Sequence, residues 1–190
     1  MHEELTDAQL VAAFRDGDPE ALGLLMERHK AAVYGYLLRL TSRPDAAEDL
    51  FQEVFLKLVR NPAAYGEREK FRAWLFTVAR NAAMDHFRRE RLRSALPLEG
   101  DGETPGAADF AASPEPGPEK QFENGALGER IKAALELLSP EQREVFYLRH
   151  YSELSFREIA DMLKVPIGTV LARMSRAAAL LRRELGEGGQ

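Results

Sequence analysis

Apolar residues recur at intervals of three and four along most of this chain, and no stretch alternates convincingly with the period of two that marks a half-buried strand. Helix starts are written beside these runs. Thr6 with Gln9 forms a capping box for a helix over about Asp7 to Arg15, and Asp18 with Pro19 opens another running to about Leu40. Asp45 opens a third to about Arg60, and Phe71 to about Arg93 is a fourth. The signals return at Ser139 with Pro140 and Gln142, and again at Ser155 with Glu158. A short connection, Lys164 to Pro166, then separates two strongly helical runs. Within that pair Ile159, Leu163, Val170, Met174, Ala177 and Leu181 fall at helical spacing and suit one small core, while Ala160 lets the two helices approach closely. The pattern predicts an all-α fold ending in a helix-turn-helix.

Charge divides the chain. The net charge is -5 over 190 residues, yet residues 96–120 hold one lysine and six acidic side chains while the segments on either side each balance. That segment, LPLEGDGETPGAADFAASPEPGPEK, is rich in Pro, Gly and Ala and has no periodicity. The expected organisation is therefore two small helical domains, 1–95 and 127–185, joined by a flexible acidic linker, 96–126, with 186–190 a disordered tail. On composition alone the linker is either a solvated spacer or an acidic strand that occupies a basic groove on a partner.

Other classes of function fall away on composition. There is no cysteine, which excludes disulfide frameworks and thiolate metal sites and fits a reducing compartment. No apolar run approaches the roughly eighteen residues of a membrane span, and the start MHEELTDAQL is acidic and polar, so no direct membrane insertion, no secretory signal and a cytoplasmic location are expected. His2, His29, His86 and His150 lack metal-ligand spacing, no phosphate-binding glycine loop is present, and the carboxylates do not converge. Neither catalytic residues nor a metal or cofactor is expected, and the chain does not read as an enzyme.

Three surfaces remain as candidates. In DAAEDLFQEVFLKL, the stripe Ala47, Leu50, Phe51, Val54 and Leu58 is core, and opposite it lie Asp45, Asp49, Gln52 and Leu56 with Glu53 beside them. An acidic row around an exposed leucine suits protein docking, with the apolar contact giving affinity and charge fixing orientation; an ordinary solvated face has the same pattern. In FRAWLFTVARNAAMDHFRRERLR, Phe71, Trp74, Leu75, Val78, Ala79 and Ala82 form the core stripe. The other side carries Phe76, Arg80, Met84 and Phe87, flanked by Thr77, Asn81 and Arg88. Basic residues among aromatics suit unstacked bases and their phosphates. Alternatively, Phe76 and Phe87 pack on a second helix and the arginines are a solvated helix end. Between these helices, NPAAYGEREK opens on a turn signal and holds one aromatic, Tyr65, as a loop that can wall a pocket. The side of the last helix opposite Val170, Met174 and Leu181 carries Gly168, Thr169, Ala172, Ser175, Arg176, Ala179 and Arg183, with Arg173 on the flank. So few long donors predict weak duplex binding alone, and a helical hairpin used for protein contacts stays open.

Taken together, DAAEDLFQEVFLKL, FRAWLFTVARNAAMDHFRR and LSPEQREVFYLRHYSELSFREIADMLKVPIGTV resemble the two domain signatures of bacterial sigma factors of the sigma-70 family, in the short extracytoplasmic-function (ECF, group 4) form. The resemblance covers about residues 8 to 95 and 127 to 185. It implies a subunit that binds core RNA polymerase and directs initiation at selected promoters, through contacts with the clamp coiled coil and the flap. Asp45, Asp49, Gln52, Glu53 and Leu56 are then the polymerase-docking face. Tyr65, Thr77, Arg80, Asn81, Met84 and Arg88 capture the melting −10 element, and Thr169, Arg173, Ser175 and Arg176 read the −35 duplex. The resemblance further implies an anti-sigma partner and a linker that threads polymerase channels. Leu171, Ala172 and Ala178 depart from the basic, serine and basic residues that many relatives carry there. On the helix-turn-helix alone, the alternative is an autonomous transcriptional regulator.

Overall fold

A computed structural model describes residues 5–61, 65, 70–95 and 126–186. The expected linker up to residue 125, the tail from 187 and most of the loop between the third and fourth helices lie outside the described residues. Every element among the described residues is a helix. The chain divides between residues 113 and 114 into two compact units. The first contains α1 (Asp7–Arg15), α2 (Pro19–Thr41), α3 (Pro44–Arg60) and α4 (Phe71–Ala95), and the second contains α5 (Ala126–Glu136), α6 (Pro140–Ser152), α7 (Phe156–Leu163) and α8 (Ile167–Gly186). Among the described residues no helix is long and apolar enough to cross a membrane.

In the first unit α2 is the central element, packing against α1, α3 and α4. Leu25, Val33, Tyr36 and Leu37 of α2 are fully covered, as are Leu10 of α1, Val54 and Leu58 of α3, and Leu75, Phe76 and Ala79 of α4. Each large side chain removed from water in this way contributes on the order of 1.5–3 kcal/mol, which outweighs the weak start of α3, whose N-cap Arg43 makes no side-chain cap. One polar residue is sunk into this core. His29 is buried with its ring 5.4 Å from that of Phe71, and its Nε2 lies 2.9 Å from Asp7 Oδ2. Arg28 Nη1 donates to the other carboxylate oxygen at 2.7 Å. Burial, the largest single influence, pushes the Asp7 carboxyl up, but its bonds to His29 and Arg28 together outweigh that and hold it below the usual carboxylate range. The start of α1 is thereby fastened to the middle of α2.

The turn out of α2 is built from small polar groups. Ser42 adopts a left-handed conformation (φ 55°) and donates its N–H to the Leu38 carbonyl at 2.8 Å, and the buried Thr41 hydroxyl donates to Leu37 at 2.9 Å. Pro44 then starts α3 with a preset φ.

The second unit closes around α8, which packs on α5, α6 and α7. The capping boxes expected at Ser139 and Ser155 both form, as does the one at Thr6 in the first unit. Ile159, Ala160, Val170 and Ala177 are buried, joined by Val145, Leu148 and Leu154; Leu163, Met174 and Leu181, expected in the same core, are only partly covered. Helix α5 adds Ala134 and Leu135 to this core without a capping box in the sequence to announce it. Arg130 of α5 donates to the Leu185 carbonyl at 3.0 Å, satisfying one of the orphan acceptors at the end of α8. The turn between α7 and α8 passes through Lys164 at φ 55°, closes with Val165 N–H donating to Ala160 at 3.1 Å, and hands over to α8 through the Pro166 carbonyl, which accepts from Thr169.

Candidate protein-docking and nucleic-acid surfaces

Asp45, Asp49, Gln52 and Leu56 share one exposed face of α3, because they are three or four residues apart. Leu56 is 48% exposed, and Val59, one step further along the same row and not singled out in the sequence, is 42% exposed. The i+3 spacing from Leu56 to Val59 was the available signal. The acids do not stand alone. Arg43 bridges Asp45 and Glu90, with the latter contact at 3.0 Å, and the bond from Arg43, followed by the Ala46 N–H, holds the Asp45 carboxyl below its ordinary range. Glu53 pairs with Lys57 at 3.1 Å and approaches Arg89 of α4 at 3.8 Å. Arg43, Asp45, Asp49, Glu53, Arg89 and Glu90 line a groove of about 330 Å³ between α3 and the C-terminal half of α4. Arg89 was missed because a contact between helices leaves no local sequence signal, whereas Arg43, two residues before Asp45, was within reach of the sequence.

On α4 the series Thr77, Arg80, Asn81, Met84 and Arg88 occupies one contiguous face, opposite the buried Leu75, Ala79, Ala82 and Ala83. Asn81 and Arg88 are exposed and the other three half-buried. Thr77 donates its hydroxyl to the Ala73 carbonyl at 2.8 Å, and Arg88 pairs with Asp85 at 3.0 Å. Two aromatics depart from the expected surface. Phe76 is fully buried 5.4 Å from Tyr36, which settles that residue as core. Tyr65, expected at the nucleic-acid surface, is 4% exposed: its ring packs edge-on against Phe71 and Trp74, and its carbonyl accepts from Arg15 of α1. Aromatic burial decides its position, so the ring anchors the loop's midpoint instead of facing solvent.

On α8, Ser175 and Arg176 are exposed while Thr169 and Arg173 are half-buried. Thr169, Arg173 and Arg176 lie on one flank, and Ser175 is about 100° round from Arg176. The charge of Arg173 is one of the influences, after the Glu141 N–H and the Ser139 hydroxyl, that hold the exposed Glu141 carboxyl down. Arg157 at the start of α7 and Lys164 in the turn are further exposed cations of this unit.

A chain with an acidic-apolar α3 face, a polar and cationic α4 face and a C-terminal helix-turn-helix matches two families in order. Residues 25–93 match Sigma-70 region 2 and residues 128–181 match Sigma-70 region 4. It is 36% identical to the ECF RNA polymerase sigma factor SigL of Mycobacterium tuberculosis, across 87% of this chain and 89% of that one. It is 34% identical to the RNA polymerase sigma factor CarQ of Myxococcus xanthus, across 92% and 94%. The chain therefore belongs to the sigma-70 family, in its ECF branch of promoter-directing RNA polymerase sigma factors. Among solved structures it is similar to the sigma factor RpoE of Bartonella quintana, determined in complex with the anti-sigma factor NepR. The TM-score is 0.63 at 25% identity, over 86% of this chain and 96% of that one.

Proposed function

We propose that the chain divides promoter-specific initiation among three surfaces. The α3 row Asp45, Asp49, Gln52, Glu53 and Leu56, extended by Val59, docks on the clamp coiled coil of the largest polymerase subunit, with the two exposed aliphatics supplying affinity and the acids fixing orientation. The α4 face formed by Thr77, Arg80, Asn81, Met84 and Arg88 holds the melted −10 strand, offering hydrogen bonds to base edges and cations to phosphates. Tyr65 serves that face indirectly, as the anchor of the neighbouring loop. The recognition helix α8 reads the −35 duplex with Thr169, Arg173, Ser175 and Arg176 while its unit rests on the flap. The protein acts in the cytoplasm, carries out no bond chemistry, and is held inactive by an anti-sigma protein, as the complex of the Bartonella relative suggests.

The observation that carries this reading is the shortage of long donors on α8. Arg176 is exposed there and Arg183 follows towards the C-terminal end, but Gly168, Ala172, Ser175 and Ala179 on the same outward side are small, so tethering through a second contact is needed to supply duplex affinity. In transcription reconstituted with cognate core polymerase and a genomic promoter library, the chain alone should start synthesis at selected promoters. Replacing Arg80 and Asn81 with alanine should leave polymerase binding intact and abolish strand opening. Absence of any start site would sink the proposal, and tight duplex binding without polymerase in a gel shift would instead favour an autonomous regulator.

A further inference from the structure

The recognition helix carries two chemically different flanks. Read at about 100° per residue away from the buried Val170 and Ala177, its outermost ridge is Gly168, Ala172, Ser175 and Ala179, a line of side chains too short to keep the helix backbone away from a ligand. To one side of the ridge stand Arg176 and then Thr169 and Arg173. To the other stand Leu171 and Ile167, which are 45% and 48% exposed.

Ile167 and Leu171 are one turn apart in the first two turns of α8. That is the end whose side chains meet base edges when the second helix of such a motif enters a major groove. An exposed branched aliphatic there has one close chemical match, because the base edges in that groove present hydrogen-bonding groups and flat ring C–H positions, and the one apolar group that projects from them is the thymine 5-methyl. Leu171 can give up its exposed surface to that methyl without leaving a polar group unpaired, whereas against a phosphate or a guanine edge it offers nothing.

We infer that Leu171 is a specificity-determining residue that reads thymine in the −35 element through its 5-methyl group, with Ile167 extending the same apolar wall. The helix thus reads with an apolar flank and a cationic flank, and the inference rests on the proposed −35 role of α8.

The test uses holoenzyme, this chain with core polymerase, on a promoter located by start-site mapping. Each −35 thymine, on either strand, is replaced by deoxyuridine, which pairs identically and lacks only the methyl. At one or more positions the wild type should lose about fourfold in affinity, the equivalent of about 0.8 kcal/mol for one buried methyl. In L171A that discrimination should fall to near one. L171K should also lose it, while gaining affinity for promoters of any sequence at low salt through a phosphate contact. Leu171 lies outside the core, so melting curves of both variants should match the wild type. Equal thymine-to-uracil ratios in wild type and L171A at every position would overturn the inference, as would weaker polymerase binding by L171A without promoter, which assigns the flank to a protein contact. A wild-type holoenzyme that initiates nowhere would remove the promoter reading itself and this inference with it, an outcome visible before any variant is made.

Discussion

In the N-terminal unit, helices of 23, 17 and 25 residues pack through side chains distant in sequence, such as Tyr36 on Phe76 and Asp7 on His29. In the C-terminal unit, α6, α7 and α8 have 13, 8 and 20 residues, and two of the three begin with a capping box closed within four residues. In both units a core packed across the fold does most of the holding, and side-chain caps, at Thr6 and Asp18 in the first and at Ser139 and Ser155 in the second, add to it. Stability and legibility in the sequence therefore run in opposite directions: the caps are easy to read and individually weak, and the long-range contacts are strong and invisible.

This contrast can be attacked one unit at a time, because the single tryptophan, Trp74, reports on the N-terminal unit. The largest effect is expected from F76A, which empties a fully buried ring site against Tyr36 and should cost about 3–5 kcal/mol. Urea unfolding followed by Trp74 fluorescence should shift strongly, while far-UV circular dichroism shows the second unit's transition in place; a common shift of both would break the comparison. Next comes D7N, which removes the charged acceptor of Arg28 and the partner of His29, at about 1–2 kcal/mol after allowance for partial exposure. Because the Asp7 carboxyl is depressed in the folded state, its contribution is present above the unfolded carboxylate pKa and is lost as pH falls through the lower folded value. The Trp74-monitored stability of wild type should decline over that acid range, and D7N should decline less steeply.

Smaller effects are expected from the second unit. S155A removes the side chain that accepts the Glu158 N–H and should cost about 1 kcal/mol, seen in the circular dichroism transition and absent from Trp74 fluorescence. The smallest effect has the opposite sign. Lys164 holds φ 55°, a conformation that glycine adopts freely, so K164G should raise the midpoint of the second transition by the equivalent of about 0.5 kcal/mol. A loss instead would mean that the Lys164 side chain contributes to the turn beyond its backbone geometry.

The same physics explains what could be read in advance. The helix starts at Thr6, Ser139 and Ser155, the buried stripe of α3 and the common face of Thr77, Asn81 and Met84 depend on spacing within one helix, and spacing is what a sequence displays. Phe76 sits at the border between two faces, and periodicity alone cannot say whether a second helix covers it; Tyr36 does. Tyr65 is drawn inward by Phe71 and Trp74, although a single aromatic in a polar loop looks exposed. The acidic row on α3 was legible as a row, while the approach of Arg89 to Glu53 was not, since Arg89 arrives from another helix. Lys164 was placed in the turn, but its left-handed backbone is a property of the closed hydrogen bonds around it.

Helix α1 lies wholly before residue 25, where the region 2 match begins, and that match opens partway along α2. Yet Arg15 of α1 binds the Tyr65 carbonyl, Asp7 grips Arg28 and His29, and Leu10 and Val11 fill the core beneath them. Anyone building chimaeras between relatives to exchange promoter preference should therefore place the crossover ahead of Thr6. A splice at the edge of the family match would transplant the loop and leave its tether behind.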